Sequence, residues 1–229
     1  MDRSHKGQPY NWLNGVMFFD IETEPNKNLL VDELLPEFSA PSNYKDPEKI
    51  SRYIEEKRAG FSDTAPLDLD FARINAIGIA MGNAEPEAVV TDGVTNRKEE
   101  DLLRWFWTLA ENATTIAGYN IIGFDIPIIM RRSFALEITP TRPLFGLKPW
   151  DALTLDLMRA FYHNGYGPGV KYRGLKWACK AYGIETLWDV DEVDGSMIAE
   201  LSPDELRAYV ISDVARTRAL AVKMRGHYW

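Results

Sequence analysis

The sequence contains few of the side chains that build disulfide frameworks and zinc sites. Its 229 residues include one cysteine, Cys179, and three histidines. One thiol can form neither an intrachain disulfide nor a cysteine-based zinc site, and low cysteine usage is typical of a reducing compartment. We therefore expect a cytoplasmic protein in which Cys179 is a small packed side chain.

Long hydrophobic runs and an excess of positive charge are also absent. No stretch approaches the roughly 18 apolar residues of a membrane span, and residues 1–6 are polar, without the apolar core of a signal peptide. The net charge is −8, from 34 acidic and 26 basic residues. We expect no membrane association, and no coating of nucleic acid through bulk positive charge. An enzyme that meets phosphates through bound metal ions is still allowed.

The charge is unevenly distributed along the chain. Eight acids and no base lie within residues 185–205, so the other 26 acids balance the 26 bases. A glycine-rich loop at residues 163–169 is followed by an acid-free stretch that contains Lys171, Tyr172, Arg173, Lys176, Trp177 and Lys180. This stretch is either a solvated surface or, beside a phosphate-handling site, a surface that binds single-stranded nucleic acid with Tyr172 stacked on a base.

Composition and hydrophobic pattern predict a single α/β domain. A hydrophobic content of 45%, a charged content of 26% and a length of 229 residues suit one globular domain. Short apolar segments predict strands and helices in a β-β-β-α-β-α order, which indicates a mixed sheet with helices on its faces. Residues 24–70 contain five prolines and are predicted to be an insertion with one helix, ending at Gly60.

The first predicted strand carries two carboxylates where a sheet core is expected. Asp20 and Glu22 lie two residues apart in the run Phe18–Glu22, so strand alternation places them on one face. Two adjacent buried carboxylates cost several kcal/mol per ion unless a positive charge compensates. The alternative is a strand that ends at Phe19, with both acids in solvent.

The last predicted helix carries a further acid on its buried side. A capping box at residues 202–205 fixes the start of this helix, and its apolar stripe includes Asp213. Tyr209 lies one turn before Asp213, so the phenol and the carboxylate point into the same space. A buried Asp must be paired or must coordinate a cation. Arg216 or Arg73 could supply an ion pair instead.

The remaining acid follows a turn between a strand and a helix. Residues 120–123 favour the turn, and Pro127 suits the first turn of a helix, which places Asp125 at a helix N-terminus at the edge of the sheet. Asp125 is there either an ordinary helix cap or the fourth member of an acidic group.

Together the four acids form an all-oxygen ligand set with no cysteine or histidine motif near it. Such ligands suit Mg²⁺ or Mn²⁺ and not zinc. Held close together, four carboxylates can bind two such ions about 4 Å apart, the arrangement used for in-line phosphoryl displacement. The residues by themselves therefore predict two-metal phosphodiester chemistry at Asp20, Glu22, Asp125 and Asp213.

The order and spacing of these motifs resemble those of a known family. The segments Asp20-Ile21-Glu22-Thr23, Asn120-x3-Phe124-Asp125 and Tyr209-x3-Asp213 are similar to the three exonuclease motifs of the DEDD (DnaQ-like) superfamily. The tyrosine resembles that of the DEDDy branch, which includes ribonuclease D and the proofreading domains of family A and family B DNA polymerases. The resemblance spans residues 13–225 and is strongest to stand-alone phage or bacterial exonucleases related to the family B proofreading domain.

This resemblance implies a ribonuclease H-like fold, with a five-stranded mixed sheet flanked by helices. It also implies a 3′→5′ exonuclease that releases nucleoside 5′-monophosphates from single-stranded or frayed DNA by a two-metal-ion mechanism. Asp20 would bridge the two ions, while Glu22 and Asp213 complete the site that activates water. Asp125 would help to hold the second ion near the leaving 3′ oxygen, partly through water, and Tyr209 would orient the attacking water.

Substrate contacts are expected from two regions. Thr23 and Phe124 sit where the family places residues beside the terminal nucleotide, and Asn120 belongs to the same motif. Candidates for gripping the single strand come from the basic stretch: Lys171, Tyr172, Arg173 and Lys176. The expected partner is single-stranded nucleic acid, with DNA favoured. Nothing in the sequence resembles a polymerase or helicase, so a replication or recombination partner would be a separate chain, in the host cytoplasm if a phage encodes this protein.

Two other functions stay open at the level of sequence. An RNA-trimming exonuclease resembling ribonuclease D would use the same chemistry, since no residue clearly recognises or excludes a 2′-hydroxyl. A non-catalytic module that recruits a polymerase or recombination partner could keep the same fold. The intact set of four acids and a tyrosine disfavours that module, because a binding protein gains nothing from buried like charges.

Overall fold

A five-stranded mixed sheet forms the centre of the protein. The computed structural model describes residues 11–92, 95, 97–144, 153–162, 171–184 and 198–227. The strands are β1 (Val16–Pro25), β2 (Ala72–Met81), β3 (Glu87–Val90), β4 (Thr115–Gly118) and β5 (Thr154–Asp156), in the spatial order β3-β2-β1-β4-β5. Strand β2 is antiparallel to β1 and β3, whereas β4 is parallel to β1 and β5. The predicted mixed sheet is confirmed.

Helices flank this sheet. They are α1 (Pro47–Ala59), α2 (Phe61–Thr64), α3 (Glu99–Glu111), α4 (Asp125–Ala135), α5 (Leu157–Phe161), α6 (Leu175–Ala181) and α7 (Pro203–Met224). Short 3₁₀ turns lie at Asn11–Leu13, Ala65–Leu67 and Ile198–Glu200. In the part of the chain that the structure describes, none of the helices is both long and apolar enough to cross a bilayer.

The central strand β1 separates two apolar layers. Met17, Phe19 and Ile21 belong to a buried cluster that includes side chains of α3 and α4. Val16 and Phe18 point to the opposite face and belong to a second cluster with side chains of α7. Because strand side chains alternate, the even-numbered acids of β1 lie on the face that α7 covers.

Helix α7 lies closely against the sheet. Its capping box is formed as predicted, with the Ser202 side chain accepting from Glu205 N and the Glu205 side chain accepting from Ser202 N. A Cβ at Gly78 of β2 would lie 2.9 Å from a methyl carbon of Val214, so a glycine is needed for this approach. The buried surface is wider than the single predicted stripe, because α7 contacts β1, β2, β3 and α6.

The long connection between β1 and β2 occupies residues 26–71. The predicted insertion began at residue 24, but β1 continues to Pro25. Helix α1 ends before Gly60, as predicted. The two ends of the connection are joined by a hydrogen bond in which Asn26 N donates to Phe71 O at 2.8 Å. Ala65, near its second end, is fully buried. That the chain is one domain with this segment as an insertion stays a prediction.

Candidate active site

Three of the four predicted acids meet at one point. Asp20 and Glu22 of β1 and Asp213 of α7 each offer a carboxylate oxygen, and these oxygens lie within 4.8 Å of one another. Strand β1 therefore does not end at Phe19, and the two β1 acids are only partly exposed, while Asp213 is buried. Their meeting follows from strand alternation in β1 and from the packing of α7 on the same face.

Asp125 lies directly beside this group. It is the first residue of α4, and its Oδ1 accepts from Ile21 N at 3.3 Å, between the two acids of β1. Strand β4 pairs with β1 only as far as Phe18, so β1 extends beyond its neighbour and presents this N–H to Asp125. The N-cap of α4 is Phe124, so Asp125 is the first residue of the helix and its carboxylate also contacts β1.

A fifth acid, Asp156, holds the turn that precedes Asp125. Its carboxylate is fully buried at the end of β5 and accepts from Asn120 N and Ile122 N, both at 3.0 Å. These bonds hold a tight turn in which Asn120 has a φ of 64°, a conformation that Asn tolerates better than most residues. We did not predict Asp156 as a site residue, because only the parallel pairing of β4 with β5 brings it to the turn.

The pKa values of all four acids are raised. Burial is the largest cause for Asp20 and Glu22, and the charges of the neighbouring carboxylates add to it. Burial also raises the pKa of Asp213, and it raises the pKa of Asp125 to about 7. Burial and mutual repulsion therefore both oppose ionisation of the four carboxylates. Their oxygen-only donor set fits a hard divalent cation, which would supply compensating positive charge.

An arginine partly neutralises the group. Arg216 Nη1 lies 2.6 Å from Asp213 Oδ1, and the arginine is only 1% exposed. Of the two arginines that the sequence offered as partners of Asp213, Arg216 forms the ion pair. The other, Arg73, pairs with Glu24. The guanidinium opposes the effect of burial on the pKa of Asp213 without abolishing it. The ion pair and the acidic group therefore coexist at the same carboxylate.

Tyr209 and Lys176 lie next to the acids. The Tyr209 hydroxyl hydrogen-bonds the Asp213 carboxylate, and burial raises the pKa of this phenol well above its usual range, so it stays protonated. Lys176 Nζ is 4.6 Å from the centroid of the Tyr209 ring. The ammonium group lowers the pKa of Glu22 and of Asp213, which places its charge beside the acidic group.

All four acids line one open cleft of about 460 Å³. The other lining residues are Ile21, Leu67, Tyr119, Asn120, Phe124, Met158, Tyr172, Arg173 and Gly174. Four predicted substrate residues are therefore at the cleft. Thr23, Lys171 and Lys176 are not among the lining residues, and the Thr23 hydroxyl donates to Pro66 O at 2.6 Å.

Leu67 is a cleft residue that the sequence did not indicate. It ends the 3₁₀ turn Ala65–Leu67 and is 75% exposed, although its neighbour Ala65 is fully buried. The proline-rich connection has no regular hydrophobic period from which the position could be predicted. Its placement depends on the anchoring of this turn against β1, to which the bond from Thr23 to Pro66 contributes.

Three further sequence predictions concern Cys179, the glycine-rich loop and the acidic segment. Cys179 is buried, as expected for a packed side chain. The glycine-rich loop at residues 163–169 lies outside the described residues. The same holds for residues 185–197, which carry most of the acidic segment.

Comparisons with known proteins find one matching protein family and a similar solved structure. The family described as "DNA polymerase family B, exonuclease domain" matches residues 67–151, which include Asp125 but not the first or third motif. A solved family B DNA polymerase from the hyperthermophilic archaeon Pyrobaculum calidifontis is similar in structure, with a TM-score of 0.54 and 20% sequence identity over 91% of this chain. The chain spans 24% of the length of that polymerase. A search of curated proteins found no match to this sequence.

These comparisons confirm two of the sequence predictions. The resemblance to DnaQ-like exonucleases is supported by the family match, and the fold is the ribonuclease H-like α/β fold with a mixed five-stranded sheet. The acidic group is compatible with binding of a divalent metal ion.

Proposed function

We propose that this protein is a metal-dependent 3′→5′ exonuclease that removes nucleoside 5′-monophosphates from single-stranded or frayed DNA. The observation that carries the proposal is the approach of Asp20, Glu22 and Asp213 to within 4.8 Å of one another. These residues come from opposite ends of the chain, and burial and mutual repulsion raise their pKa values, which supports a site that binds a cation.

The acidic group would hold the metal ions. Asp20, Glu22 and Asp213 form the closest set, and Asp125 adds a fourth carboxylate through its contact with β1. When bound, divalent ions supply activation of the attacking water and neutralisation of charge on the leaving 3′ oxygen. Oxygen ligands favour Mg²⁺ or Mn²⁺.

Tyr209 would orient the attacking water. Its hydroxyl stays protonated and hydrogen-bonds Asp213, so its oxygen still has a lone pair that can accept a hydrogen bond from water. Lys176 lies beside the same ring and carries a positive charge toward Glu22 and Asp213. This arrangement supports a DEDDy-type site, in which a tyrosine and not a histidine positions water.

The rest of the cleft would hold the end of the strand. Phe124 and Leu67 supply apolar surface for the terminal base, while Arg173 supplies a cation for a phosphate. Tyr172, which is 39% exposed at the cleft, offers a ring for stacking. The direction of cutting from a 3′ end comes from the family resemblance.

The test is degradation of 5′-labelled oligonucleotides of one sequence, made as DNA and as RNA, in Mg²⁺, Mn²⁺ or EDTA. The proposal expects a descending ladder on DNA that requires metal, and no loss of label from the 5′ end. A ladder on RNA alone would assign the ribonuclease function instead. If neither strand is cut in either metal, the protein is a binding module and the proposal is wrong.

A matched pair of variants assigns the activity to the site. Asp20→Asn removes one charge of the acidic group, whereas Asp70→Asn removes a charge that is paired with Arg131 on the surface. We expect Asp20→Asn to lower turnover by roughly a thousandfold, because metal ions contribute several kcal/mol to such reactions. Asp70→Asn should cut at the wild-type rate, with both variants folded by circular dichroism.

A further inference from the structure

The segment that contains α6 exposes aromatic rings both at the cleft and beyond it. Nine large hydrophobic side chains of the described residues are exposed, and three of them fall within residues 171–184. They are Tyr172 at 39%, Trp177 at 47% and Tyr182 at 42%. Large apolar side chains grouped on a surface are typical of binding sites, because their burial by a partner releases water.

Positive charges alternate with these rings. Residues 171–184 contain four basic residues and no acid, although the whole chain has a net charge of −8. The four are Lys171, Arg173, Lys176 and Lys180. Lys223 of α7 adds another cation, since its Nζ donates to the carbonyl oxygen of Tyr182. The surface is therefore complementary to an anionic ligand that has flat, stackable groups.

This surface is fixed to the active-site cleft. The Tyr119 hydroxyl donates to Arg173 O at 2.5 Å, and Arg173 N donates to the Tyr162 hydroxyl at 3.0 Å. Tyr119 directly precedes Asn120, the first residue of the turn that leads to Asp125. Two tyrosines thus hold the Arg173 backbone at the rim, where the residue lines the cleft.

From Arg173 the aromatic groups continue away from the cleft. The Arg173 guanidinium carbon lies 5.6 Å from the centroid of the Trp177 ring. The Trp177 and Tyr182 ring centroids are 6.3 Å apart, and Tyr182 packs edge-on against Phe161 at 5.0 Å. Trp177 and Tyr182 do not line the cleft, so this row extends the binding surface beyond it.

We infer that Trp177, Lys180 and Tyr182, here called the α6 platform, bind the part of the single strand that lies 5′ of the nucleotides in the cleft. Bases would stack on the two rings, and phosphates would meet Lys180 and Arg173. The inference rests on the proposed function, because it concerns the same substrate. It adds a site for nucleotides that the cleft does not reach, and exposed rings between cations favour a nucleic acid over an acidic peptide.

The test compares two lengths of oligodeoxythymidylate as substrates in Mg²⁺. One has about three nucleotides and occupies only the cleft, and the other has about twenty, which exceeds typical single-strand site sizes. For the double variant Trp177→Ala/Tyr182→Ala we expect KM for the long strand to rise about tenfold. KM for the short strand is the internal reference and should match that of wild type.

Two controls separate stacking from general damage. Phe134→Ala removes a ring that is 88% exposed on α4 and should leave both KM values unchanged. Trp177→Phe keeps a flat ring and should retain the long-strand KM within about twofold of wild type. Lys180→Ala should reduce the slope of log KM against log salt concentration by about one, the value for one phosphate contact. Lys49→Ala should leave this slope unchanged.

The outcomes distinguish this inference from the proposed function. If the wild type cuts neither strand, the proposed function is wrong. If the wild type cuts both strands and the double variant has the wild-type KM for the long strand, the proposed function stands and the α6 platform is not a nucleic-acid site. Loss of activity on both lengths together would also overturn the inference, because the effect would then not depend on nucleotides outside the cleft.

Discussion

Arg216 Nη1 lies 2.6 Å from Asp213 Oδ1, and Asp213 is the acid of α7 that meets Asp20 and Glu22. The buried guanidinium of Arg216 therefore holds this carboxylate in place. Arg216 follows Asp213 by one helical turn and is 1% exposed. A divalent cation at the acidic group would share Asp213 with this arginine. We therefore interpret Arg216 as the residue that fixes the position of the Asp213 carboxylate. The divalent ion would neutralise the remaining acids.

Replacing Arg216 by Met removes the cation and keeps much of the buried volume. Breaking a buried ion pair while leaving the partner charge typically costs about 3–5 kcal/mol. Because Asp213 can take up a proton, we expect the lower end, a decrease of about 3 kcal/mol in the free energy of unfolding in EDTA. Urea denaturation followed by circular dichroism measures this change.

The double variant Asp213→Asn/Arg216→Met completes a thermodynamic cycle with the two single variants. Removing both charges should restore most of the stability lost in Arg216→Met, since no unpaired carboxylate then stays buried. The double variant should still lack nuclease activity. Additive effects of the two single variants would mean that the pair contributes nothing to stability and that Arg216 does not position Asp213.

The acidic group should make the metal-free protein less stable as the pH rises. A carboxyl whose pKa is higher in the folded state contributes stability that is complete below its unfolded pKa and is lost as the pH rises through its folded pKa. For Asp125 this window runs from about 4 in the unfolded chain to about 7 in the fold. Unfolding in EDTA should therefore need less urea near neutral pH than near pH 5, once general acid effects are subtracted.

Asp125→Asn isolates this effect, because an amide does not titrate in that range. The stability difference between Asp125→Asn and wild type in EDTA should grow in favour of the variant between about pH 4 and about pH 7. Saturating Mg²⁺ or Mn²⁺ should reduce the difference by stabilising the ionised wild-type group. A difference that is constant across this range would show that Asp125 has an ordinary pKa.

The features that the sequence predicted well are those determined by local pattern. The capping box at Ser202 fixed where α7 begins, and strand alternation placed Asp20 and Glu22 on one face. Asp156 and Leu67 reach the site only through contacts between segments far apart in sequence: the pairing of β5 with β4, and the anchoring of a turn by Thr23. No periodic or turn signal marks such positions, so neither was predicted.

Tyr209→Phe tests the role of the phenol in orienting water. The variant keeps the ring beneath Lys176 but loses the hydroxyl that hydrogen-bonds Asp213. We expect kcat to fall by about tenfold to a hundredfold with little change in KM, because positioning of a proton-transfer group contributes on this scale. The pH profile of kcat should also change. Tyr53→Phe, on α1, is the matched control, and a Tyr209→Phe rate equal to that of wild type would exclude the assigned role.

Leu67→Ala tests whether the connection between β1 and β2 takes part in substrate binding. Leu67 is 75% exposed, so its truncation should leave the free energy of unfolding unchanged within about 0.5 kcal/mol. In the cleft it lies with Phe124, and the loss of its apolar surface should raise KM for single-stranded DNA by roughly threefold to tenfold, since burial of a few methylene groups is worth about 1 kcal/mol. Leu34→Ala removes another exposed leucine of the same connection, away from the cleft, and should change neither quantity. Equal KM values for the two variants would mean that the connection supplies no substrate contact at this position, and that the apolar wall of the cleft comes from Phe124 and its own loop.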